Sequence, residues 1–245
     1  MVPVGLWYLA ELPEHPRLFV RGGAIAMTLF MAFGLAASVG IGLYAYFGLL
    51  RARQYVSLET SLLLLGIAFV ATGAMEFVRE GVRKPFVIYS YLYSNGIPAI
   101  GEWPERINRE GILAHAPFAR PPGQTAADVR ALPLHEQGAM VYRAECLICH
   151  QIDGTNSIRH LVAGKSRELL LRQVHELDRW AYMPPFHGTE TEMKALVEYL
   201  LTLYQGEQYR PPPADYVASS VGDILAARAQ VIAAELTARG REVRP

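Results

Sequence analysis

Two long apolar segments stand out in the first third of the chain. Residues 22–50 contain no charged side chain, and residues 58–78 carry only Glu59 and Glu76, near the two ends. A helix needs about 20 apolar residues to cross the hydrocarbon core of a bilayer. The pattern therefore predicts two transmembrane helices joined by the short turn 51–57. Because the turn is short, the helices should form an antiparallel hairpin with both chain termini on one side of the membrane.

The first apolar segment has two alternative interpretations, a buried core hairpin and a cleaved signal peptide. Residues 22–50 are longer and more uniformly apolar than the core helices of soluble proteins. The residues before them include Glu11 and Glu14 and lack the compact basic region of a signal peptide. Neither apolar segment contains a histidine, which a transmembrane b-type haem would need as an axial ligand. We therefore expect an anchor, or a docking surface for other membrane helices.

Aromatic side chains crowd the stretch that follows the second apolar segment. Lys84-Pro85 should end any helix that continues out of the membrane. The aromatic residues after it are Phe86, Tyr89, Tyr91, Tyr93 and Trp103. Tyrosine and tryptophan favour the membrane–water interface, so an interfacial belt is expected, with the lining of a quinol site as the alternative. A linker is marked by Pro117, Pro121, Pro122 and Gly123.

Amphipathic helical patterns follow the linker. One helix is predicted to lead into Cys146, a second to span residues 166–180, and a third to begin at Thr189. Thr189 and Glu192 have the spacing of a capping box, in which each residue satisfies a backbone N–H of the other. After three consecutive prolines, residues 215–240 predict a final helix, docked either on this region or on a partner.

The chain has two cysteines, Cys146 and Cys149, and His150 follows directly. This CxxCH sequence is typical of the attachment of a c-type haem. Two thiols at this spacing can bond to one porphyrin while the adjacent imidazole faces the iron. A thioredoxin-like redox pair should lie near a βαβ pattern, and a zinc site needs more ligands than one cysteine pair supplies. We expect one covalent haem c and no disulfide framework.

The region around this motif resembles a class I c-type cytochrome. The resemblance lies in Gly138 and Tyr142 before CxxCH, in the Met183-Pro184-Pro185 loop, and in a closing amphipathic helix. It implies a small helical fold whose first and last helices cross near that glycine and an aromatic residue. It also implies that His150 and Met183 hold the iron. Histidine–methionine ligation raises the haem potential and fills both axial positions, which favours electron transfer over oxygen chemistry.

Other side chains compete with Met183 for the sixth iron ligand. Met193 lies on the apolar stripe of its predicted helix, so core packing is its expected role. His175 lies off the apolar stripe of the preceding helix and should face solvent. His160 is close to the attachment motif. His187 is near Met183 in sequence and is the main alternative.

A second resemblance concerns residues 73–97, followed by a linker and a domain that contains residues 183–190. This arrangement resembles the C-terminal part of cytochrome bd-like oxidase subunits that carry a c-type domain. The chain lacks the larger helical bundle and the transmembrane haem ligands of such subunits. The resemblance therefore implies a separate electron-transfer subunit or a detached haem module.

The predicted fold class is all-α, with a transmembrane hairpin, a small cytochrome c-like helical domain and a C-terminal helix. The predicted divisions are an N-terminal segment with the two-helix anchor (1–79), a periplasmic aromatic segment and proline-rich linker (80–127), a monohaem domain (128–206) and a C-terminal docking helix (207–245). Hydrophobic residues make up 51% of the chain. The net charge is zero, so no global electrostatic field attracts a highly charged partner. We expect no nucleic-acid partner.

These patterns predict a subunit that passes single electrons in a respiratory or photosynthetic chain, rather than a catalyst. Its expected partners are other membrane subunits, such as bd-like oxidase or quinol-oxidising subunits, and a redox protein as donor or acceptor. Basic residues on both sides of the spans do not decide the orientation. Bacteria attach c-type haem outside the cytoplasmic membrane, so the haem domain and both termini should be periplasmic. A quinol-oxidising enzyme subunit, and a haem sensor or mainly structural subunit, are the alternatives.

Overall fold

A computed structural model describes residues 25–51, 57–154, 156–180 and 182–238. The residues expected to precede the first span, and most of the predicted turn between the spans, lie outside these ranges. The chain divides into two compact units, with the boundary between Tyr89 and Ser90. The described residues are mostly helical, so the predicted all-α class is confirmed.

The first unit contains two long helices. Its elements are helix α1 (Ile25–Tyr44), which continues as a π-helical segment (Ala45–Arg51), helix α2 (Leu58–Arg83) and strand β1 (Phe86–Ile88). The Ser57 hydroxyl caps α2 by accepting the Thr60 N–H at 3.2 Å. Helix α2 ends at Arg83 as Lys84-Pro85 predicts, because the residue before a proline avoids the helical conformation.

Helices α1 and α2 pack against each other but leave most of their apolar surface uncovered. The stretches Leu29–Leu50 and Leu58–Gly81 are long and apolar enough to cross a membrane, and few of their residues are buried. A core helix of a soluble protein would be mostly buried, so this exposure is consistent with a two-pass anchor. A Cβ atom at Gly34 would overlap the Met75 side chain, so Met75 of α2 packs into the space that the glycine of α1 leaves.

The second unit is a set of short helices around one apolar core. Its elements are strand β2 (Leu92–Tyr93), helices α3 (Trp103–Glu110), α4 (Ile112–His115), α5 (Ala126–Arg130), α6 (Leu134–Glu145), α7 (Ile158–Val162), α8 (Arg167–His175), α9 (Glu190–Gln205), α10 (Ala214–Ala218) and α11 (Val221–Ala238), and 3₁₀ turns at Pro117–Ala119, Leu177–Arg179 and Gly206–Gln208. Helices α6 and α9 make the most extensive helix pair in this unit.

The crossing of α6 and α9 occurs at Gly138. A Cβ atom there would overlap the carbonyl oxygen of Ala195 and lie 2.8 Å from the Tyr199 Cβ atom, so only glycine allows this approach. One turn later, the Tyr142 ring lies 5.4 Å from the Tyr199 ring, measured between centroids. The expected crossing of the first and last domain helices, near Gly138 and an aromatic residue, is confirmed.

The predicted helix starts agree with the structure. The Ser166 hydroxyl accepts the Leu169 N–H at 3.3 Å and caps α8. Thr189 and Glu192 form the predicted capping box at the start of α9, with contacts of 3.2 and 3.0 Å. Helix α8 is shorter than residues 166–180, because it ends at His175 and a separate 3₁₀ turn follows.

Helices α3 and α4 were not apparent from the sequence patterns. Ile107, Ile112 and Leu113 are buried in the core of the second unit. The Glu192 carboxylate accepts the N–H groups of Ile112 and Leu113 at 2.8 and 3.1 Å, and so caps α4 as well as α9. One buried acidic side chain therefore joins the segment before the haem-motif helix to the closing helix.

The C-terminal region forms two helices where the sequence predicts one. Helix α10 ends in extended backbone at Ser219, and the Ser220 hydroxyl caps α11 by accepting the Asp223 N–H at 3.1 Å. The Lys194 ammonium group of α9 donates to the carbonyl of Val217 at 3.0 Å and to that of Ser219. The helix breaks at Ser219 because two side chains bond to backbone groups that a continuous helix would pair with each other. The Ser220 hydroxyl accepts an N–H, and the buried Lys194 donates to two carbonyls. The predicted helix end at residue 240 lies outside the described residues.

These contacts dock α10 and the first turn of α11 on the same chain. The Tyr216 ring is buried, and the Arg167 guanidinium lies 5.5 Å from its centroid. Arg167 also donates from Nε to Glu198 Oε1 at 2.5 Å, and the Tyr209 hydroxyl donates to Glu198 Oε2 at 3.0 Å. Glu198 is fully buried, so these donors satisfy a carboxylate that water does not reach.

Candidate functional site

The CxxCH motif follows the last residue of α6. Cys146 is the C-cap of the helix, and its N–H donates to the Tyr142 carbonyl at 2.9 Å. The N–H groups of Cys149 and His150 both donate to the Cys146 carbonyl, at 3.1 and 2.9 Å. Tight turns therefore hold the two thiols and the imidazole within one short stretch of backbone. Both cysteines are free, and Cys149 is the more exposed of the two.

Two side chains fix the backbone at the end of this motif. The Tyr142 hydroxyl donates to the His150 carbonyl at 2.5 Å. The Asn156 side-chain amide donates to the Cys149 carbonyl at 2.7 Å. The sequence singles out Tyr142 only as part of the pattern before CxxCH, and nothing in the local pattern indicated Asn156. Together they hold the motif from the preceding helix and from the following loop.

The His150 imidazole is half-buried, and its Nδ1 atom is buried without a hydrogen-bond partner in the described structure. Burial lowers the pKa of His150, which favours the neutral imidazole. The neutral form is the one that binds metals through a ring nitrogen.

Burial shifts the pKa of the Cys146 thiol upward, whereas it shifts that of His150 downward. The higher pKa of Cys146 disfavours the thiolate. Thioredoxin-like pairs depend on a cysteine with a lowered pKa, so this environment does not favour that interpretation of the motif. The described residues also contain no group of three or more His, Cys, Asp and Glu side chains arranged to hold a metal ion, as a structural zinc site would require.

Met183 lies on the loop between the 3₁₀ turn after α8 and the start of α9. Its N–H donates to the Trp180 carbonyl at 3.0 Å, and its side chain is half-buried. The flanking Trp180 and Tyr182 side chains are exposed. Two prolines follow Met183 and restrict the backbone of the loop.

The competing candidates for the sixth ligand have different surroundings. His187 is only 2% exposed, and its ring lies 5.2 Å from the Tyr93 ring. Burial lowers the pKa of His187, so its imidazole is neutral. Met193 is buried in the core and His175 is exposed, as their positions on the helical patterns predict. His160 lies on α7 and is also exposed.

Glu145 is a buried acidic residue beside the motif that the sequence analysis did not identify. It precedes Cys146, and its Oε2 atom accepts the Asn95 side-chain amide at 2.7 Å. Burial raises the pKa of Glu145 to about 8, although the amide of Asn95 and the His187 backbone N–H oppose this shift. Glu145 lies three and four residues after Tyr142 and Val141, which are both buried, so the helical period could have indicated its burial.

By their chemistry, the residues predicted for the site form a donor set that suits a c-type haem. It comprises two thiols at CxxCH spacing, a neutral imidazole with the adjoining backbone held in place, and a thioether on a proline-restricted loop. Thiols can form covalent links to the porphyrin, and imidazole and thioether are suitable axial ligands for iron.

Comparison with known families supports this interpretation. Residues 133–200 match the family model described as cytochrome c oxidase, cbb3-type, subunit III. This region is therefore a c-type haem-binding domain, and the predictions of a cytochrome c domain and of haem c as its cofactor are confirmed. The matched region includes CxxCH and Met183 but covers less than a third of the chain. Searches of curated proteins and of solved structures found no match.

Proposed function

We propose that this protein is a membrane-anchored monohaem c-type cytochrome that transfers single electrons as a subunit of a respiratory or photosynthetic complex. The observation that carries the proposal is the position of CxxCH. The motif lies at the end of α6, inside the region that matches a c-type cytochrome family. The crossing of α6 and α9 at Gly138 gives this motif the helical frame that the resemblance implies.

Four residues are assigned to the haem in this proposal. Cys146 and Cys149 would hold the porphyrin covalently, and His150 and Met183 would be the ligands of its iron. Met183 is favoured over His187 because its half-buried side chain lies on a loop, whereas the His187 ring is enclosed against Tyr93. When bound, the haem supplies a one-electron redox couple. The chain orients the ligands through the hydrogen bonds of Tyr142 and Asn156, described above.

The hairpin of α1 and α2 is proposed to anchor the haem domain at the periplasmic face of a bacterial cytoplasmic membrane. Covalent haem attachment outside that membrane supports this orientation, with both termini in the periplasm. The exposed glycines Gly40 and Gly42 of α1 suit close packing with helices of other membrane subunits. The resemblance of residues 73–97 to bd-like oxidase subunits makes such a subunit a candidate partner, alongside a soluble redox protein.

The direct test is covalent haem attachment in the full-length protein, produced with a c-type haem maturation system. The wild-type protein should keep haem stain on a denaturing gel and show a reversible one-electron couple. Replacing Cys146 and Cys149 by alanine should abolish the stain. A matched control replaces the exposed spacers Leu147 and Ile148 by serine, which leaves both thiols in place and should preserve the stain.

Haem stain that survives the double cysteine replacement would refute the assignment. Two further results would favour the alternative functions over simple electron transfer. Reduction of the purified protein by a quinol would favour a quinol-oxidising subunit. Carbon monoxide binding to the reduced protein would favour a sensor, because it requires a vacant or labile position on the iron.

A further inference from the structure

A buried acidic site lies next to the haem-attachment motif. Glu145 is the last residue of α6, and its side chain is 9% exposed. Its Oε2 atom accepts the Asn95 amide at 2.7 Å, whereas its Oε1 atom is buried without a hydrogen-bond partner in the described structure. An ionised carboxylate can accept several hydrogen bonds, and burying one with so few donors is costly. Adding a proton removes the charge and most of that cost.

Within the described part of the chain, the groups that act on Glu145 come from several elements and include no positive charge. Asn95, which follows β2, is neutral, and the loop after Met183 contributes the backbone N–H of His187. Glu192 of α9 adds a further negative charge. Cys146, which directly follows Glu145, cannot ionise once it is bonded to haem. The His187 imidazole is neutral because burial lowers its pKa, an effect that Glu105 partly opposes.

We propose that Glu145 is a proton-binding site coupled to electron transfer, an inference that rests on the proposed function. At a pH between the carboxyl pKa values of the two redox states, the Glu145 carboxylate takes up as much as one proton from water for each electron that the domain accepts from its one-electron donor. When the electron leaves, the carboxyl group returns the proton. The electron and the proton together leave the net charge of the site unchanged.

The physical reason is the position of the carboxyl group. Glu145 directly precedes an attachment cysteine, and the backbone N–H of His187, on the loop that carries Met183, favours its ionised form. An added electron is a unit of negative charge, and in a buried environment a second negative charge nearby is strongly disfavoured. Burial already raises the pKa of Glu145 to about 8. Reduction raises this pKa further, so the carboxyl group gains its proton within a pH range that can be measured.

The test is the midpoint potential of the full-length haem protein between about pH 6 and pH 10. The reduced form holds the extra proton, so raising the pH should disfavour reduction. Between the carboxyl pKa values of the two redox states, the potential should fall by up to about 59 mV per pH unit, a tenfold change in the equilibrium constant. Glu145→Gln should abolish this slope. Glu136→Gln, which removes an exposed acid from the first turn of the same helix, should retain it.

A second variant keeps the proposal testable if Glu145→Gln fails to fold. Asn95→Ala removes a hydrogen bond that favours the carboxylate, so the pH range of the slope should move upward. The infrared difference spectrum between oxidised and reduced protein should also show a carboxylic acid band that Glu145→Gln removes.

Three results would overturn the Glu145 assignment: a wild-type potential that does not vary with pH in this range, a slope that persists in Glu145→Gln, or an unmoved slope in Asn95→Ala. A reversible couple without pH dependence contradicts this inference alone. A chain that attaches no haem contradicts the proposed function itself.

Discussion

At the residue scale, a few side chains determine how the motif is presented. Tyr142 and Asn156 hold the backbone of His150 and Cys149, and each acts through a hydrogen bond to a carbonyl oxygen rather than through its own redox chemistry. The identity of the sixth ligand also depends on local surroundings. Met183 and Met193 have the same side chain, but one lies on a loop and the other is buried within α9. This difference provides a matched pair for mutagenesis.

Replacing Met183 by alanine should remove the methionine–iron charge-transfer band that histidine–methionine haem shows in the far red, and should lower the reduction potential. Met193→Leu should keep the band, because it conserves volume in the core and should cost less than about 1.5 kcal/mol of stability. Absorption spectroscopy and potentiometry of the oxidised proteins check both outcomes. If the band persists in Met183→Ala, another ligand such as His187 is the better assignment.

At the scale of elements, the contact between α6 and α9 positions the motif. Helix α6 ends at Glu145, so the direction of the helix axis sets the position at which the CxxCH segment starts. Gly138 allows the backbone of α9 to approach closely at the crossing. Because α9 also begins immediately after the Met183 loop, one helix contact relates the CxxCH motif to the loop that carries the proposed sixth ligand.

Gly138→Ala should destabilise the protein by about 1–3 kcal/mol, because the added methyl group overlaps the backbone of α9 and forces the two helices apart. Gly222→Ala is a suitable control, since it lies in helix α11 and its nearest neighbour, the Ser220 Oγ atom, is 3.8 Å from the new Cβ position. That change should be neutral or should stabilise the protein by up to about 1 kcal/mol through helix propensity. Denaturant unfolding followed by circular dichroism measures both. Equal stabilities for the two variants would show that the crossing does not require glycine.

At the scale of the whole molecule, the described chain consists of an apolar helical hairpin and a helical unit that begins at Ser90. The sequence predicts a haem domain at residues 128–206, but the core of the second unit also includes Ile107, Ile112 and Leu113. The Glu192 carboxylate caps the helix that contains two of these residues. The segment before the cytochrome region therefore contributes to the same core.

A chain that begins at Ser90 should fold, attach haem and remain soluble after export, because it keeps the whole second unit. A chain that begins at Gly123 should be less stable by at least about 4 kcal/mol, since it loses three buried apolar side chains and leaves Glu192 without two of its donors. Denaturant unfolding and haem content of the two truncated proteins provide the measurement. Equal unfolding midpoints would mean that residues 90–122 are not part of the cooperative unit.

Features that depend on neighbouring residues could be determined from the sequence alone. The two long apolar segments, the CxxCH motif, the end of α2 before Pro85, and the capping box of α9 belong to this group. Each arises from chain length, covalent geometry or hydrogen bonds that span a few residues, so a single stretch of sequence contains all the information.

Other features were decided only by the tertiary structure, because the partners are far apart in the chain. Asn95 and Glu145 are 50 residues apart, so no local pattern shows that an amide meets this buried carboxyl group. Glu192 caps a helix 80 residues before it, and without that contact α4 has little local signal. The break at Ser219 likewise depends on Lys194, which lies 25 residues earlier. Burial raised the pKa of Glu145 only once the chain had folded around it, since desolvation is a property of the assembled core.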